Sequence, residues 1–154
     1  MANRIHFKGI DRIVYGVEDA AAGEKFFQDW GLKKVSSDGG SILFQTLDGT
    51  EAEIRPIDDG TLPAPIEDGS TLREVIWGVQ TAEDLDTVRD ALKDEASYTE
   101  RDGRPACTDP NGFSISFRVT QRKEVNIEGT PINTFAKPDA RVNQQSTFYD
   151  RAEP

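Results

Sequence analysis

The sequence has 154 residues, of which 36% are hydrophobic and 30% are charged, and its formal net charge is −10. An acidic chain disfavours nucleic acid and anionic membranes as partners, and no apolar run approaches the roughly 20 residues of a membrane-spanning helix. The single cysteine, Cys107, excludes an internal disulfide, and the N-terminus has no signal-peptide core, so we expect a cytoplasmic protein.

The single histidine, His6, lies near the N-terminus, before the first strong strand pattern. We expect an exposed terminal side chain there. One histidine excludes an iron site of two histidines and one carboxylate built within this chain. A Cys–His nucleophile pair would need His6 and Cys107 to meet, and nothing in the sequence indicates that they do. Cys107 is expected to be a small buried residue instead.

The first predicted strand, residues 11–17 (DRIVYGV), is repeated in kind at residues 73–79 (REVIWGV). Each stretch runs charged, charged, β-branched, β-branched, aromatic, glycine, valine. Placing Asp11 opposite Arg73 aligns the two stretches throughout, as far as Val17 and Val79. β-Branched and aromatic residues in such a run are typical of a strand, so the sequence predicts a repeated unit that opens with a strand.

A helix is predicted after each of these strands. Asp19 is the expected N-cap of the first helix and Gly31 its end, and Thr81 is the expected N-cap of the second. Apolar residues at helical spacing are expected to face the sheet. They are Ala22, Phe26, Phe27 and Trp30 in the first helix, and Leu85, Val88, Ala91 and Leu92 in the second. Trp30 and Trp77 are both predicted core residues.

Three short strands are predicted after each helix, so the order β-α-β-β-β occurs twice. They are residues 33–37, 41–48 and 51–57 in the first set, and 96–101, 105–109 and 113–119 in the second. The turn before the last strand is Asp48-Gly49 in the first set and Asp109-Pro110-Asn111-Gly112 in the second. Both are strong hairpin signals, because Gly and Asn accept positive φ.

Neither unit could cover its own apolar face, so the two must pack together. We therefore predict an α+β fold in which module one, about residues 8–57, and module two, about 71–119, form one curved half-open sheet around a cavity, with the helices outside. Residues 120–154 are polar and carry three prolines. They are predicted to be a linker or arm that lacks regular structure from about Ile127 onward.

Paired units of this kind, which close here on TDPNGFSISF at residues 108–117, resemble the vicinal oxygen chelate superfamily of glyoxalases, bleomycin-resistance proteins and type I extradiol dioxygenases. The resemblance covers about residues 8–119. The polar tail resembles the stretch that joins the two module pairs of a two-domain extradiol dioxygenase. The resemblance then implies an N-terminal, metal-free pair with no cofactor of its own, and Fe(II) only in a C-terminal domain missing from this sequence.

The resemblance also identifies four cavity positions where metal-binding relatives carry His or Gln, Glu, His and Glu. Here they are occupied by Arg12, Glu53, Glu74 and Ser116. An arginine repels a dication, whereas a guanidinium between two carboxylates neutralises both without a metal. We expect the Arg12 guanidinium within hydrogen-bond reach of Glu53 or Glu74. A divalent ion held by Glu53 and Glu74 is the alternative.

Strand alternation predicts which side chains share the cavity with these four positions. On the first strand of module one, Val14 and Gly16 should face the same way as Arg12, and Ile13, Tyr15 and Val17 should pack beneath a helix. The other expected cavity-facing residues are Ile76, Gly78, Glu51, Arg55, Ser114 and Arg118.

Three functions of different classes follow from the resemblance. The first is the non-catalytic N-terminal half of an extradiol dioxygenase-like enzyme that acts on catecholic aromatics and is inactive as an isolated chain. The second is a stand-alone ligand-binding protein of the bleomycin-resistance type. The third, a glyoxalase-like metalloenzyme, is disfavoured by Arg12 and Ser116. The expected partners are a small aromatic substrate or ligand and either a second copy of the chain or a covalently following domain.

Overall fold

The structure is a computed structural model that describes residues 4–126 and 133–136. These residues form one eight-stranded sheet and two helices, so the predicted α+β class is confirmed. The elements are β1 Phe7–Val17, α1 Ala20–Asp29, β2 Lys33–Asp38, β3 Ser41–Gln45, β4 Glu51–Pro56, β5 Thr71–Val79, α2 Ala82–Leu92, β6 Thr99–Arg101, β7 Arg104–Thr108 and β8 Ser114–Val119. Among the described helices, neither is long and apolar enough to cross a membrane.

The two units meet at the centre of the sheet, whose strand order is β2-β3-β4-β1-β5-β8-β7-β6. The first strands of the units, β1 and β5, pair with each other in antiparallel fashion. Each first strand also pairs in parallel with the last strand of its own unit, β1 with β4 and β5 with β8. The sheet is not closed, because β2 and β6 form its two edges, and the predicted curved half-open sheet is confirmed.

Two apolar cores lie between the helices and one face of the sheet. In module one, Phe27 of α1 packs against the fully buried Phe44 and Ile54. In module two, Val88 of α2 packs against Phe117 of β8 in the same way. Burial of a side chain of this size stabilises a fold by about 1.5–3 kcal/mol, so these cores hold each helix on its own half of the sheet.

The predicted sheet-facing stripe of α1 is wrong for Ala22, Phe26 and Trp30, and Trp30 is not a core residue. Phe26 is 53% exposed and Trp30 is 76% exposed, and the two rings stack on each other at 5.7 Å. The cause is Gly23, where a Cβ atom would lie 3.1 Å from Ile54 Cδ1. The helix backbone therefore approaches the sheet at Gly23, and only Phe27, one turn later, packs inward.

In α2 the predicted stripe is confirmed for Leu85, Val88 and Leu92, which pack in the module-two core together with Trp77 of β5. Ala91, the fourth predicted member, is exposed.

The predicted helix ends are confirmed. The Asp19 side chain accepts a hydrogen bond of 2.9 Å from the Ala22 amide, and Gly31 ends α1 with a φ of +88°. At the start of α2, Thr81 and Asp84 form a reciprocal capping box, in which each side chain accepts from the other's backbone amide. A side-chain cap of this kind typically stabilises a helix by about 1 kcal/mol.

The chain that follows β8 returns to module one. The Gln121 amide donates to Asp11 Oδ2 at 3.1 Å, Arg122 Nη2 donates to the Ile10 carbonyl at 2.7 Å, and the Lys123 amide donates to the Asp48 carbonyl at 2.7 Å. The predicted irregular segment from Ile127 onward lies, except for residues 133–136, outside the described part of the chain. The predicted division into two modules and an arm stays a prediction.

Candidate functional site

The face of the sheet turned away from both helices is called the concave face, and it carries all four predicted site positions. The predicted alternation is confirmed on β1, where Ile13, Tyr15 and Val17 pack into the helix-side core and Val14 packs with Ile76 on the opposite face. Arg12 pairs directly with Ile76 across the two central strands. Ile76 in turn is level with Ser116.

A bulge in each central strand brings an additional charged side chain to the concave face. The bulge residues are Asp11 of β1 and Arg73 of β5, which occupy equivalent positions in the two repeated strand sequences. A Cβ atom at Gly78 would lie 2.7 Å from the Asp11 carboxyl carbon, and a Cβ at Gly16 would lie 2.9 Å from Arg73 Nη1. The repeated glycine therefore leaves room for the bulge side chain of the neighbouring strand, which explains why both strand sequences contain it.

Arg12 forms ion pairs with two carboxylates of β4. Its Nε donates to Glu51 Oε2 at 2.8 Å and its Nη1 donates to Glu53 Oε2 at 2.9 Å. The second oxygen of Glu53 accepts from Ser41 Oγ at 2.9 Å. The expected contact between Arg12 and Glu53 is confirmed, but the second carboxylate on Arg12 is Glu51, because parallel pairing places it beside Arg12.

The ion pairs continue from Glu51 toward module two. Glu51 Oε2 also lies 2.9 Å from Arg118 Nη1, and Arg118 Nε donates to Asp11 Oδ2 at 3.1 Å. Asp11 is only 1% exposed, and its other oxygen accepts from Thr120 Oγ1 at 2.8 Å. A buried carboxylate is stable only when it is paired and hydrogen-bonded, and Asp11 meets both conditions.

Glu74 has the complementary arrangement in module two, where one carboxylate lies between two guanidinium groups. Glu74 Oε1 accepts from Arg101 Nη1 at 2.7 Å, and its Oε2 lies 3.8 Å from Arg104 Nη2. Arg101 Nη1 also donates to Ser114 Oγ at 2.8 Å. Glu74 therefore takes its partners from module two rather than from Arg12.

Ser116 lies on β8 between Ile76 and Ala106 and is fully buried. Among the described residues its hydroxyl oxygen has no hydrogen-bond partner. A serine in this place offers only a weak neutral ligand, whereas the metal-binding pattern requires a carboxylate there.

The four predicted positions do not fit a divalent metal ion. Hydrogen bonds to guanidinium groups occupy both carboxylates, and the third position is itself a cation. Nowhere in the described ranges do three or more His, Cys, Asp or Glu side chains form a group that could hold a metal ion. The concave face is an ion-paired surface in which arginines neutralise the carboxylates. Its assignment to vestigial metal positions stays a prediction.

Sequence reasoning missed Asp11, Arg101, Arg104 and Leu62. Under strict alternation the Asp11 side chain would point to the helix side of the sheet, and it reaches the concave face only because of the bulge. Arg101 and Arg104 belong to the β6–β7 hairpin, and no local sequence pattern predicts where that hairpin lies in the sheet. Leu62 lies in the loop between the modules, yet its side chain is 9% exposed and packs on Val14 and Ile76.

His6 is exposed, as predicted, and its ring also contacts α2. Its amide and its Nδ1 lie 3.1 Å and 3.2 Å from Asp84 Oδ1. Burial raises the pKa of Asp84, but hydrogen bonds from His6 and Thr81 outweigh burial and hold the pKa below its ordinary value. These contacts tie the N-terminus to the start of α2.

Cys107 is buried, as expected for a small apolar residue. Burial, together with the nearby Glu95 and Asp109, raises the pKa of its thiol. A raised pKa leaves less thiolate and so gives no support for a nucleophilic role.

No protein-family model matches this sequence, and a search of curated proteins also gives no match. Solved structures do match the fold. The Mn(II)-bound glyoxalase from Novosphingobium aromaticivorans has a TM-score of 0.58 and 19% identity over 81% of this chain and 44% of its own. An extradiol ring-cleaving dioxygenase from B. fuscum has a TM-score of 0.60 and 18% identity over 80% of this chain and 36% of its own.

A third similar structure is homoprotocatechuate 2,3-dioxygenase from Brevibacterium fuscum in complex with 3,4-dihydroxyphenylacetate. It has a TM-score of 0.60 and 17% identity over 80% of this chain and 40% of its own. The chain thus has the vicinal oxygen chelate fold that glyoxalases and extradiol dioxygenases share. It spans between 36% and 44% of the length of these three structures, and at this identity the likeness is one of fold.

Proposed function

We propose that this chain is the N-terminal, non-catalytic module pair of an extradiol dioxygenase-like protein that acts on catecholic aromatics. The observation that carries the proposal is the ion pairing of the concave face. Arg12 donates to Glu53 and Arg101 donates to Glu74, at the positions where the resemblance leads us to expect the ion of a metal-binding member. Neither pair leaves a carboxylate free for Fe(II).

The role proposed for this module pair is structural. Its ion pairs neutralise the carboxylates of the concave face without a ligand, so the pair can fold and remain folded while a following module pair supplies the iron and the reaction. Among the matched structures, the dioxygenase chains are more than twice as long as the part that this chain covers, which is consistent with two such pairs in one protein.

The isolated chain tests the non-catalytic part of the proposal. Anaerobic loading with Fe(II), followed by air and either catechol or 3,4-dihydroxyphenylacetate, should give no ring-cleavage product. Oxygen consumption and the absorbance of the ring-opened product measure the reaction. Turnover that disappears in Glu53→Ala or Glu74→Ala, but not in Glu83→Ala on the exposed start of α2, would contradict the proposal.

The natural polypeptide tests the domain part. An antibody raised against the described residues should recover, from the cells that make this protein, a polypeptide well above the 17.1 kDa of this chain. That polypeptide should cleave a catechol when supplied with Fe(II). Recovery only of a polypeptide with the mass of this chain would contradict the proposal and favour the stand-alone binding protein.

A further inference from the structure

The loop between the modules, residues 57–70, lies against the concave face at one point in particular. Leu62 inserts its side chain there, is 9% exposed, and forms a small apolar cluster with Val14 and Ile76. Arg73 anchors the same part of the loop, because its Nε donates to the Pro63 carbonyl at 2.7 Å. An apolar side chain from a connecting loop thus covers the apolar centre of an otherwise charged surface.

The loop also supplies the partners of Arg55, a concave-face residue of β4. Arg55 Nη2 donates to Asp59 Oδ2 and to Thr61 Oγ1. The Nε of Arg55 is buried and, among the described residues, has no hydrogen-bond partner. The Glu53 carboxylate lies 3.9 Å from this Nε, beyond hydrogen-bond distance.

One tight turn holds the carboxylate and the apolar group side by side. The amide and hydroxyl of Thr61 donate to Asp59 Oδ1 at 2.9 Å and 2.8 Å. The Leu62 amide donates to the Asp59 carbonyl at 3.0 Å. The loop therefore presents to the sheet a carboxylate and, beside it, a compact apolar side chain.

These contacts differ from the other ion pairs of the concave face because one partner lies in a loop rather than on a strand. Arg12 and Glu53 both lie on strands, and so do Glu74 and Arg101. Asp59 and Leu62 belong to one loop between β4 and β5. Movement of this loop would remove both from the sheet together and would break no strand pairing. It would leave Arg55 and the apolar pair Val14 and Ile76 open at the same moment.

We propose that the loop segment 59–62 is an internal substitute for a ligand, and that the site beneath it binds a small organic carboxylate with a compact apolar body. The ligand's carboxylate replaces Asp59 on Arg55, and its apolar body replaces Leu62 on Val14 and Ile76. A free carboxylate can accept from both Nε and Nη2 of Arg55, a bidentate geometry in which Nε gains the partner that it lacks beneath the loop. This proposal goes beyond the proposed function and does not depend on it.

Competition between loop and ligand has a measurable consequence. The apparent affinity of a ligand falls by the fraction of molecules in which the site is open. A change that weakens the loop contacts must therefore tighten ligand binding, although it removes no ligand contact. A loop that served only to connect the modules would not produce this effect.

Benzoate and cyclohexanecarboxylate are suitable probes, and benzamide is their uncharged control. Asp59→Asn removes the loop's charge on Arg55, and Asp58→Asn makes the same change at an exposed neighbouring position. We expect Asp59→Asn to bind benzoate at least about tenfold more tightly than the parent chain. Asp58→Asn should bind as the parent does, Arg55→Met should bind at least about tenfold more weakly, and benzamide should not compete. Titration followed by NMR measures all of these.

Equal benzoate affinity in the parent chain and a folded Asp59→Asn would overturn the proposal, as would binding that Arg55→Met leaves unchanged. If Asp59→Asn does not fold, the parent chain provides the test. Benzoate should then shift the Leu62 methyl resonances and speed hydrogen exchange at the Leu62 amide, while the Leu47 methyls, on an exposed side chain, stay in place. Unchanged Leu62 signals at saturating benzoate, or no benzoate binding at any accessible concentration, would also overturn it.

Discussion

Arg12 in module one and Glu74 in module two occupy equivalent places in the repeated strand and carry opposite charges. Arg12 lies between two carboxylates, Glu51 and Glu53. Glu74 is paired with two guanidinium groups, those of Arg101 and Arg104. Arg12 and Glu74 each take these partners from their own module. The repeated strand thus determines where a side chain points, and the neighbouring strands determine which charge it can carry.

The two modules differ in which charged groups lose a partner when Arg12 or Glu74 is removed. Loss of Arg12 leaves carboxylates whose side chains are 6% and 14% exposed. Loss of Glu74 leaves arginines that are 26% and 19% exposed. A long arginine side chain can move its charge to water, whereas a short glutamate on β4, between β3 and β1 in the sheet, cannot. We therefore predict unequal costs for two equivalent truncations.

Arg12→Ala should cause the largest loss of stability. Removal of one partner from a buried ion pair costs about 3–5 kcal/mol, and because the Arg12 side chain is 20% exposed we expect the lower end of that range. The double change Arg12→Met with Glu53→Gln should cost less than Arg12→Ala alone, since it leaves less uncompensated charge. Urea unfolding of both variants measures the difference. A urea midpoint for Arg12→Ala equal to that of the parent chain would show that Arg12 does not stabilise these carboxylates.

Glu74→Ala should cost less than Arg12→Ala, in the range of about 1–3 kcal/mol expected when a hydrogen-bonded group is removed from a folded protein. The reason is that Arg101 and Arg104 can turn toward solvent. Chemical denaturation under the same buffer gives the comparison. Asp102→Asn, which removes the charge of an exposed partner of Arg104 and suits the positive φ at that position, is the matched control and should be near neutral. A greater loss for Glu74→Ala than for Arg12→Ala would refute the proposed asymmetry.

The two equivalent glycines provide a third contrast. Gly78→Ala drives a methyl group into the carboxylate of Asp11, which is held by Arg118 and Thr120. We expect a loss within the range of about 1–3 kcal/mol typical of overpacking. Gly16→Ala meets Arg73 Nη1 at 2.9 Å, a longer distance than the 2.7 Å to the Asp11 carboxyl carbon at Gly78, and should cost less. Thermal unfolding compares the two variants, and equal midpoints would show that the bulge side chains do not rest on the glycines as described.

The amino-acid pattern predicted the facing of Arg12 and Glu53 because side chains alternate strictly along an unbroken strand. It failed at Asp11, where a bulge locally reverses the alternation, and it did not predict the partners of Glu74. Arg101 reaches Glu74 only through the pairing of β6 with β7 and of β7 with β8. Such a contact depends on the whole sheet, so no local spacing reveals it.

The two helices show the same limit. The apolar spacing in α1 and α2 is similar, yet Phe26 is 53% exposed whereas Val88, its counterpart in the repeat, is 3% exposed. Gly23 brings the backbone of α1 close to Ile54 and so selects Phe27 as the inward residue. A periodic pattern predicts that a helix forms, but the small residue at the point where the helix comes closest to the sheet decides which face is buried.

The smallest predicted effect concerns the stability of the fold at low pH. The pKa of Asp84 lies below its ordinary value of 3.8 because hydrogen bonds from His6 and Thr81 outweigh burial. Its stabilising contribution is therefore complete above the unfolded-state pKa and is lost as the pH falls through the lower, folded-state pKa. In Asp84→Asn this part of the acid dependence should disappear, whereas the exposed Asp86→Asn should retain it. Unfolding midpoints between about pH 2 and pH 5 test this.

Metal retention by the purified chain is the sharpest test of the claim that arginine–carboxylate pairs stand where a metal-binding relative would hold its ion. The purified chain is exposed separately to Fe(II), Mn(II), Zn(II) and Ni(II), desalted, and its metal content is measured by elemental analysis. We predict that none of the four is retained in stoichiometric amount, because Arg12 and Arg101 occupy the carboxylates of Glu53 and Glu74. Near-stoichiometric metal that is lost in Glu53→Ala would contradict this claim.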